Sequence, residues 1–102
     1  MKITDCRQEV QAFAILMEKK LRENDHKSGW KENHPIDLIV RLREETEEIF
    51  AFGISLRSAQ LRHNECRWAP QQKSSQADEI GKECADVGNF AMMIADVCGA
   101  LK

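Results

Sequence analysis

Apolar residues recur at helical spacing along most of the chain. Between residues 4 and 23 they follow steps of four and three, as Cys6, Val10, Phe13, Met17 and Leu21. This spacing places them on one face of a helix. The sequence has no alternating apolar and polar run of the kind that indicates a strand. The pattern therefore predicts an all-α protein.

Two longer helices are predicted after the first. Pro35 suits the first position of the second helix, which we expect to continue to the low sixties, with Gly53 as a candidate bend. The third is expected from about Gln76 to the end of the chain, with Ser75 as its N-cap. Polar loops at residues 24–34 and 63–75 separate the three helices.

The apolar stripe of the second helix is interrupted once. It reads Leu38, Leu42, then Ile49, Phe52 and Leu56, and the position that would complete the four-three rhythm is Glu45. Glu48, three residues later, lies at the edge of the same face. Glu44 and Glu47 are expected to face solvent.

The third helix has the same kind of interruption. The rhythm of its apolar residues is broken once, by Glu83, and Asp86 follows three residues later. Four inward carboxylates repel one another and are costly to bury unless they are protonated or neutralised by a cation. Oxygen ligands suit a hard ion, so the pattern predicts a Mg²⁺ site, with Mn²⁺ as a substitute, bound by Glu45, Glu48, Glu83 and Asp86. The alternative is that both stripes are misphased and these acids simply face water.

Composition narrows the class of protein. The 102 residues predict a single domain spanning 1–102, with 42% hydrophobic residues and a formal net charge of −2. That charge argues against a nucleic-acid polymer as partner. No segment is apolar enough to cross a membrane or to act as a signal, and no CxxC pair occurs among the four cysteines. A cytoplasmic protein is therefore expected.

The acidic motifs resemble those of a known family. "EETEE" at 44–48 and "ECAD" at 83–86 are similar to the EExxE and ExxD elements of the MazG-like, all-α nucleoside triphosphate pyrophosphatases. "NDHKSGW" at 24–30 resembles the polar segment before the first acidic helix in small phage-type and cassette-type members. The resemblance covers most of the chain from Asn24 onward.

The resemblance implies a Mg²⁺-dependent pyrophosphohydrolase. Such an enzyme cleaves a ribo- or deoxyribonucleoside triphosphate between the α- and β-phosphates, giving the monophosphate and pyrophosphate. The matching positions make Glu45, Glu48, Glu83 and Asp86 the metal ligands, and Glu44 or Glu45 the group that activates the attacking water.

The chain also departs from the family. Thirty-four residues separate Glu48 from Glu83, a longer gap than usual, and the sequence stops at Lys102 where many members add a fourth helix. Three short helices enclose little core. We therefore expect a homodimer or homotetramer in which a three-helix protomer completes a four-helix-type bundle, with a site that two chains could share.

Several residues outside the acidic motifs are candidates for substrate binding. Trp30 is expected either to stack on the base or to pack as a lid, and Lys27 and Lys31 either to contact phosphates or to keep the loop soluble. Asn89 either binds substrate or caps a backbone group. Weaker candidates for phosphate contacts are Lys82, Arg57, Arg62, His63, Arg67 and Lys73. Trp68 is expected to anchor the second loop or to pack against a partner subunit.

Three alternatives compete with the enzyme hypothesis. A zinc site could involve only His63 and Cys66, and a di-iron bundle needs two Glu-x-x-His motifs where Glu23 and His26 supply one. The third is a non-catalytic helical oligomeric interaction module with an ion-binding acidic cluster. That module would lack turnover of any triphosphate.

Overall fold

The computed structural model is all-helical in the parts that it describes. These are residues 1–27, 29–62 and 74–101, with side chains for 1–27, 29–54 and 77–101. They contain a 3-10 turn at Ile3–Asp5 and three helices: α1 (Gln8–Glu23), α2 (Pro35–Arg62) and α3 (Ser74–Val97). No strand occurs within these residues. The predicted fold class is thus confirmed at the level of a three-helix, all-α chain.

The start of α1 differs from the prediction. The backbone is extended at Cys6 and Arg7, so the 3-10 turn and α1 are separate elements and Cys6 lies outside the helix. The Asp5 carboxylate accepts a hydrogen bond from the Lys2 amide at 3.0 Å, and the Gln11 side chain donates to the Cys6 carbonyl at 2.6 Å. These local bonds hold the chain in a non-helical conformation ahead of Gln8.

The second helix matches the prediction at both ends. Pro35 lacks a backbone donor and begins α2 without loss, and the His34 Nδ1 accepts a hydrogen bond from the Ile36 amide at 3.1 Å. α2 continues through Gly53 to Arg62. Leu38 is the most buried large side chain among the described residues, at 1% exposure. The inner face of α2 is therefore the one that the apolar stripe indicated.

The third helix was wrongly predicted at both ends. It begins at Ser74, so Ser75 lies inside the helix and is not its cap, and it ends at Val97. Gly99 has φ +76°, its amide donates to the Asp96 carbonyl at 3.0 Å, and the Ala100 amide donates to the Ala95 carbonyl at 2.8 Å. These two bonds form a Schellman motif, in which a glycine at positive φ ends the helix.

α3 packs against both other helices and uses opposite faces to do so. The α1-facing side carries Gly81, Ala85 and Gly88. A Cβ added at Gly88 would lie 3.1 Å from Phe13 Cζ and 3.3 Å from Met17 Sδ. Small residues on this face let α1 approach closely, while the other face of α3 meets α2. In the described part of the chain, no helix has both the length and the apolar character needed to cross a membrane.

Candidate metal centre

Three acids meet between α2 and α3. One carboxylate oxygen each from Glu45, Glu83 and Asp86 lies within 4.8 Å of the others, and all three residues are half-buried. Glu45 comes from the inner face of α2, while Glu83 and Asp86 are one turn apart on the α2-facing side of α3. The two interruptions of the apolar stripes thus form one cluster, which we call the acid cluster.

Glu48 adjoins this cluster from a more exposed position. The charge of its carboxylate raises the pKa values of both Glu45 and Glu83. Among the described residues, Glu45 Oε2 and Glu83 Oε2 are buried without any hydrogen-bond donor. When ionised, the cluster therefore contains acceptors that no described group of the chain satisfies.

The electrostatics of the cluster raise its pKa values. Burial, together with the charges of Glu48 and Asp86, raises the pKa of Glu45 from 4.5 to about 7. Burial and the adjacent Glu48 carboxylate also raise the pKa of Glu83. Burial raises the pKa of Asp86 as well, although the Lys20 ammonium, 3.9 Å away, opposes the rise. One lysine at this distance does not neutralise the four acids.

The donor set fits a hard divalent cation. All of the candidate ligands are carboxylate oxygens, two of which are buried and unsatisfied, and none is a sulfur or imidazole. A cation among them would satisfy the orphan oxygens and remove the mutual repulsion. The cluster can thus hold Mg²⁺ or Mn²⁺ on chemical grounds.

A cavity of about 470 Å³ lies one helical turn from the acid cluster. Its volume is within the range of small-molecule sites, roughly 300–1,000 Å³. Arg41 lines the cavity one turn before Glu45, and Phe90 lines it one turn after Asp86. The Arg41 guanidinium lies over the Phe90 ring at 5.2 Å and pairs with Glu44 at 3.7 Å. The remaining lining residues are Leu21, Asn24, Asp25, Lys27, Gly29, Trp30, Asn33, Leu38 and Met93.

The loop between α1 and α2 is fastened to the end of α3. The Trp30 indole donates to Asp96 Oδ2 at 3.0 Å, and the Lys31 ammonium donates to the same oxygen. These two bonds lower the pKa of the Asp96 carboxyl below its ordinary value, and the bond from Lys31 has the larger effect. Lys31 also lies 5.5 Å from the centre of the Trp30 ring. Trp30 is therefore held by its edge while it lines the cavity.

The other predicted substrate-binding residues are dispersed. Lys27 lines the cavity, whereas Lys31 is paired with Asp96. Asn89 is buried, at 4% exposure, and its Nδ2 donates to the Met17 carbonyl at 3.1 Å. This bond matches the alternative in which Asn89 caps a backbone group. Its Oδ1 is buried without a partner among the described residues. Lys82 is exposed on α3. The substrate roles of these residues remain predictions.

Glu44 lies apart from the acid cluster. It is exposed and ion-paired with Arg41, so its predicted role in activating water is untested. The weaker candidates on the second loop fall outside the described residues, as do the side chains of Arg57 and Arg62 and the half-pair of the zinc alternative, His63 and Cys66.

Sequence reasoning missed three residues near the site. Arg41 precedes Glu45 by four residues, so helical spacing alone could have identified a cation on the acidic face. Lys20 and Asp96 come close to Asp86 and Trp30 only through the packing of distant segments. No sequence signal indicates these two contacts.

Comparison of the chain with protein-family models, with curated proteins and with solved structures gave no match. The features that bear on function are therefore the acid cluster, the cavity beside it and the two acidic motifs.

Proposed function

We propose that this chain is a Mg²⁺-dependent nucleotide pyrophosphohydrolase that cleaves a ribo- or deoxyribonucleoside triphosphate between its α- and β-phosphates. The observation that carries the proposal is the placement of unsatisfied carboxylates one helical turn from a cavity large enough for a nucleoside. Metal-bound phosphates and a buried base and sugar require these two features side by side. The order and spacing of "EETEE" and "ECAD" support the same class of reaction.

In this proposal the acid cluster and Glu48 hold the ion. Glu45, Glu83 and Asp86 supply the converging oxygens, and Glu48 is the fourth carboxylate at the open edge. The ion, Mg²⁺ or Mn²⁺, would offset the charge of the phosphates and promote attack by water. The repulsion that the acids experience without a cation is relieved on binding, which contributes to affinity for the ion.

The cavity residues would orient the rest of the substrate. Arg41, between the cluster and the cavity, is placed to contact a phosphate, and Lys27 supplies a second cation on the cavity wall. Trp30 and Phe90 present aromatic surface to a base, and stacking of this kind contributes roughly 1–3 kcal/mol per base. The lining thus has cations and aromatic rings in one place, as nucleotide binding requires.

Hydrolysis adds one water across the anhydride. The water oxygen bonds to phosphorus, the bridging oxygen leaves with the other product, and a carboxylate accepts a proton from the water. Glu45 is better placed than Glu44 for this step because it belongs to the cluster, whereas Glu44 is exposed and paired with Arg41. The products are the nucleoside monophosphate and pyrophosphate.

The enzyme proposal is tested by pyrophosphate release from a panel of ribo- and deoxyribonucleoside triphosphates with Mg²⁺. We expect pyrophosphate and monophosphate from one or a few substrates, and a loss of at least about 100-fold in Glu45→Gln, equivalent to about 2.7 kcal/mol. Glu18→Gln, on the exposed face of α1, is the matched control and should keep full activity. Direct titration with Mg²⁺ should show weakened binding in Glu45→Gln only.

Other products would contradict the proposal in distinct ways. Orthophosphate would mean that a different bond is cut. No product from any triphosphate would favour the non-catalytic, ion-binding helical module. Full turnover in Glu45→Gln would refute the assignment of the site.

We also propose that the chain works in the cytoplasm as a homodimer or homotetramer, which completes a four-helix-type bundle. The support is the large apolar surface that the described residues leave exposed, including Phe50 at 70% and Ile15 at 58%.

A further inference from the structure

The outer face of α2 carries a second apolar stripe. Among the α2 residues whose side chains the structure describes (35–54), five large apolar ones are 45–70% exposed: Ile36, Ile39, Val40, Phe50 and Ile54. At 100° per residue they fall on one side of α2, opposite Glu45 and the inner stripe that meets α3. Together they present apolar surface on the order of several hundred Å², the size of patch that marks an interaction site. We call this the outer stripe.

Four of the five residues of the outer stripe are symmetric about position 45 of the chain, and the fifth, Ile39, has Ala51 at its mirror position. Ile36 and Ile54 are each nine residues from this position, and Val40 and Phe50 are each five residues from it. The two charged residues on the face, Arg43 and Glu47, are each two residues from it and pair within the helix at 3.3 Å. Reversing the direction of the helix therefore places apolar residues on apolar residues and Arg43 on Glu47.

We infer that the outer stripe binds the same stripe of a second copy of this chain, with the two α2 helices antiparallel about a two-fold axis near position 45. In this register Ile36 of each chain meets Ile54 of the other, and Val40 meets Phe50. Each Arg43 meets the other chain's Glu47, so both charges at the centre remain paired. Such a self-complementary surface is what a two-fold interface requires.

The pattern favours a second copy over other occupants. A lipid surface would have to desolvate Arg43 and Glu47 at the middle of the stripe, which is costly. An unrelated partner gives no reason for apolar and charged positions to be symmetric about one point. The charge complementarity of the face with itself therefore identifies the occupant.

This arrangement separates the interface from the acid cluster. Glu45 faces α3, on the side of α2 opposite the outer stripe, so each cluster is complete within one chain. A site shared between chains is not expected across this interface. The inference rests on the proposed self-association but not on catalysis, so its failure would leave the enzyme proposal intact.

Charge reversal tests both the interface and its register. Arg43→Glu places a second carboxylate opposite the partner's Glu47, and Glu47→Arg produces the equivalent repulsion between two guanidinium groups. We expect each variant alone to raise the dimer dissociation constant at least about tenfold, since like charges at an interface are strongly unfavourable. An equimolar mixture of the two variants forms complementary pairs across the interface and should recover the dimer. Sedimentation equilibrium measures dimer formation by each variant alone and by their mixture.

Matched controls separate the interface from helix stability. Arg22→Glu breaks an exposed i,i+4 ion pair of the same 3.3 Å length on α1 and should leave the dimer dissociation constant unchanged. Phe50→Ser removes an exposed ring and should weaken the dimer without charge, whereas Ile15→Ser on α1 should not. Circular dichroism checks that every variant remains helical.

The outcomes are decisive in each direction. Recovery of the dimer only in the mixture supports the antiparallel register. A wild-type protein that stays monomeric at high concentration would overturn the inference, as would a dimer that neither charge reversal nor Phe50→Ser weakens. Weakening by the charge reversals without recovery in the mixture would reject the register.

Discussion

Replacing Glu45 with glutamine should stabilise the metal-free protein at alkaline pH. The fold holds Glu45 among three other acids, and its pKa is raised from 4.5 to about 7, first by burial and then by the charges of Glu48 and Asp86. Glutamine has the same shape without the charge, and its amide can donate a hydrogen bond to an acceptor that lacks one. The variant should therefore relieve repulsion that the wild-type cluster suffers without a cation.

The sign of the pH dependence follows from proton binding. Between pH 4.5 and about 7 the folded state holds a proton on Glu45 that the unfolded chain has released. The free energy of unfolding therefore falls as pH rises through this range, and the full cost of ionising Glu45 in the folded state is reached above pH 7. Below pH 4.5 both states are protonated and the penalty vanishes. This is the reverse of an ion-paired carboxylate, which loses stability as pH falls.

The size of the effect can be worked from the shift. A rise from 4.5 to about 7 corresponds to roughly 3 kcal/mol at 1.36 kcal/mol per pKa unit. The group is only half-buried, so solvent screening reduces the figure, and we expect about 1–2 kcal/mol. Glu83 and Asp86 have raised pKa values too, so the variant should keep a shallower slope and not a flat one.

Urea unfolding at several pH values, in the presence of a chelator and at fixed protein concentration, measures this prediction. The free energy of unfolding of Glu45→Gln should exceed that of wild type by about 1–2 kcal/mol near pH 8 and match it near pH 4. Glu44→Gln, the exposed neighbour, should change stability by less than about 0.5 kcal/mol at either pH. Added Mg²⁺ should stabilise wild type more than Glu45→Gln. Wild-type stability that increases between pH 5 and 8 would refute the reasoning.

Two further predictions concern packing and the loop beside the cavity. Gly88→Leu should lower the free energy of unfolding by about 1–3 kcal/mol because the new side chain meets Phe13. Gly53→Ala, with open space around it, should raise the free energy of unfolding by about 0.5–1 kcal/mol. Equal changes for the two variants in urea unfolding would contradict the packing argument. Asp96→Asn removes the charge that fastens Trp30, so the KM for the nucleotide should rise severalfold with kcat nearly unchanged; an unchanged KM would show that this bond does not shape the cavity.

Local sequence signals predicted α2 best. Pro35 at the first helical position and a rhythm of apolar residues broken only at Glu45 define a helix whose observed bounds are Pro35–Arg62. The ends of the other helices depend on single local interactions. A carboxylate at Asp5 and a carbonyl at Cys6 keep the chain out of α1, and Gly99 at positive φ ends α3. Apolar periodicity contains no information about these bonds.

The sequence predicted only those features of the site that the apolar face of a single helix can indicate. Two acids at stripe positions, Glu45 and Glu83, indicated that carboxylates point inward, and the structure places them together. The cavity requires four segments to meet, and spacing within one helix cannot reveal that. The second face of α3 was also missed, because Gly81 and Gly88 are not counted in an apolar stripe although α1 packs against them.

The central position of α3 limits which of its residues can change. One side must stay small for α1 to approach, as at Gly88, and the other must keep the acids and the aromatic ring of Phe90. α1 contains no fully buried residue, so most of its positions face fewer constraints. Mutational tolerance should therefore be distributed unevenly among the helices: substitutions accumulate on α1, while α3 accepts few on either of its packed sides.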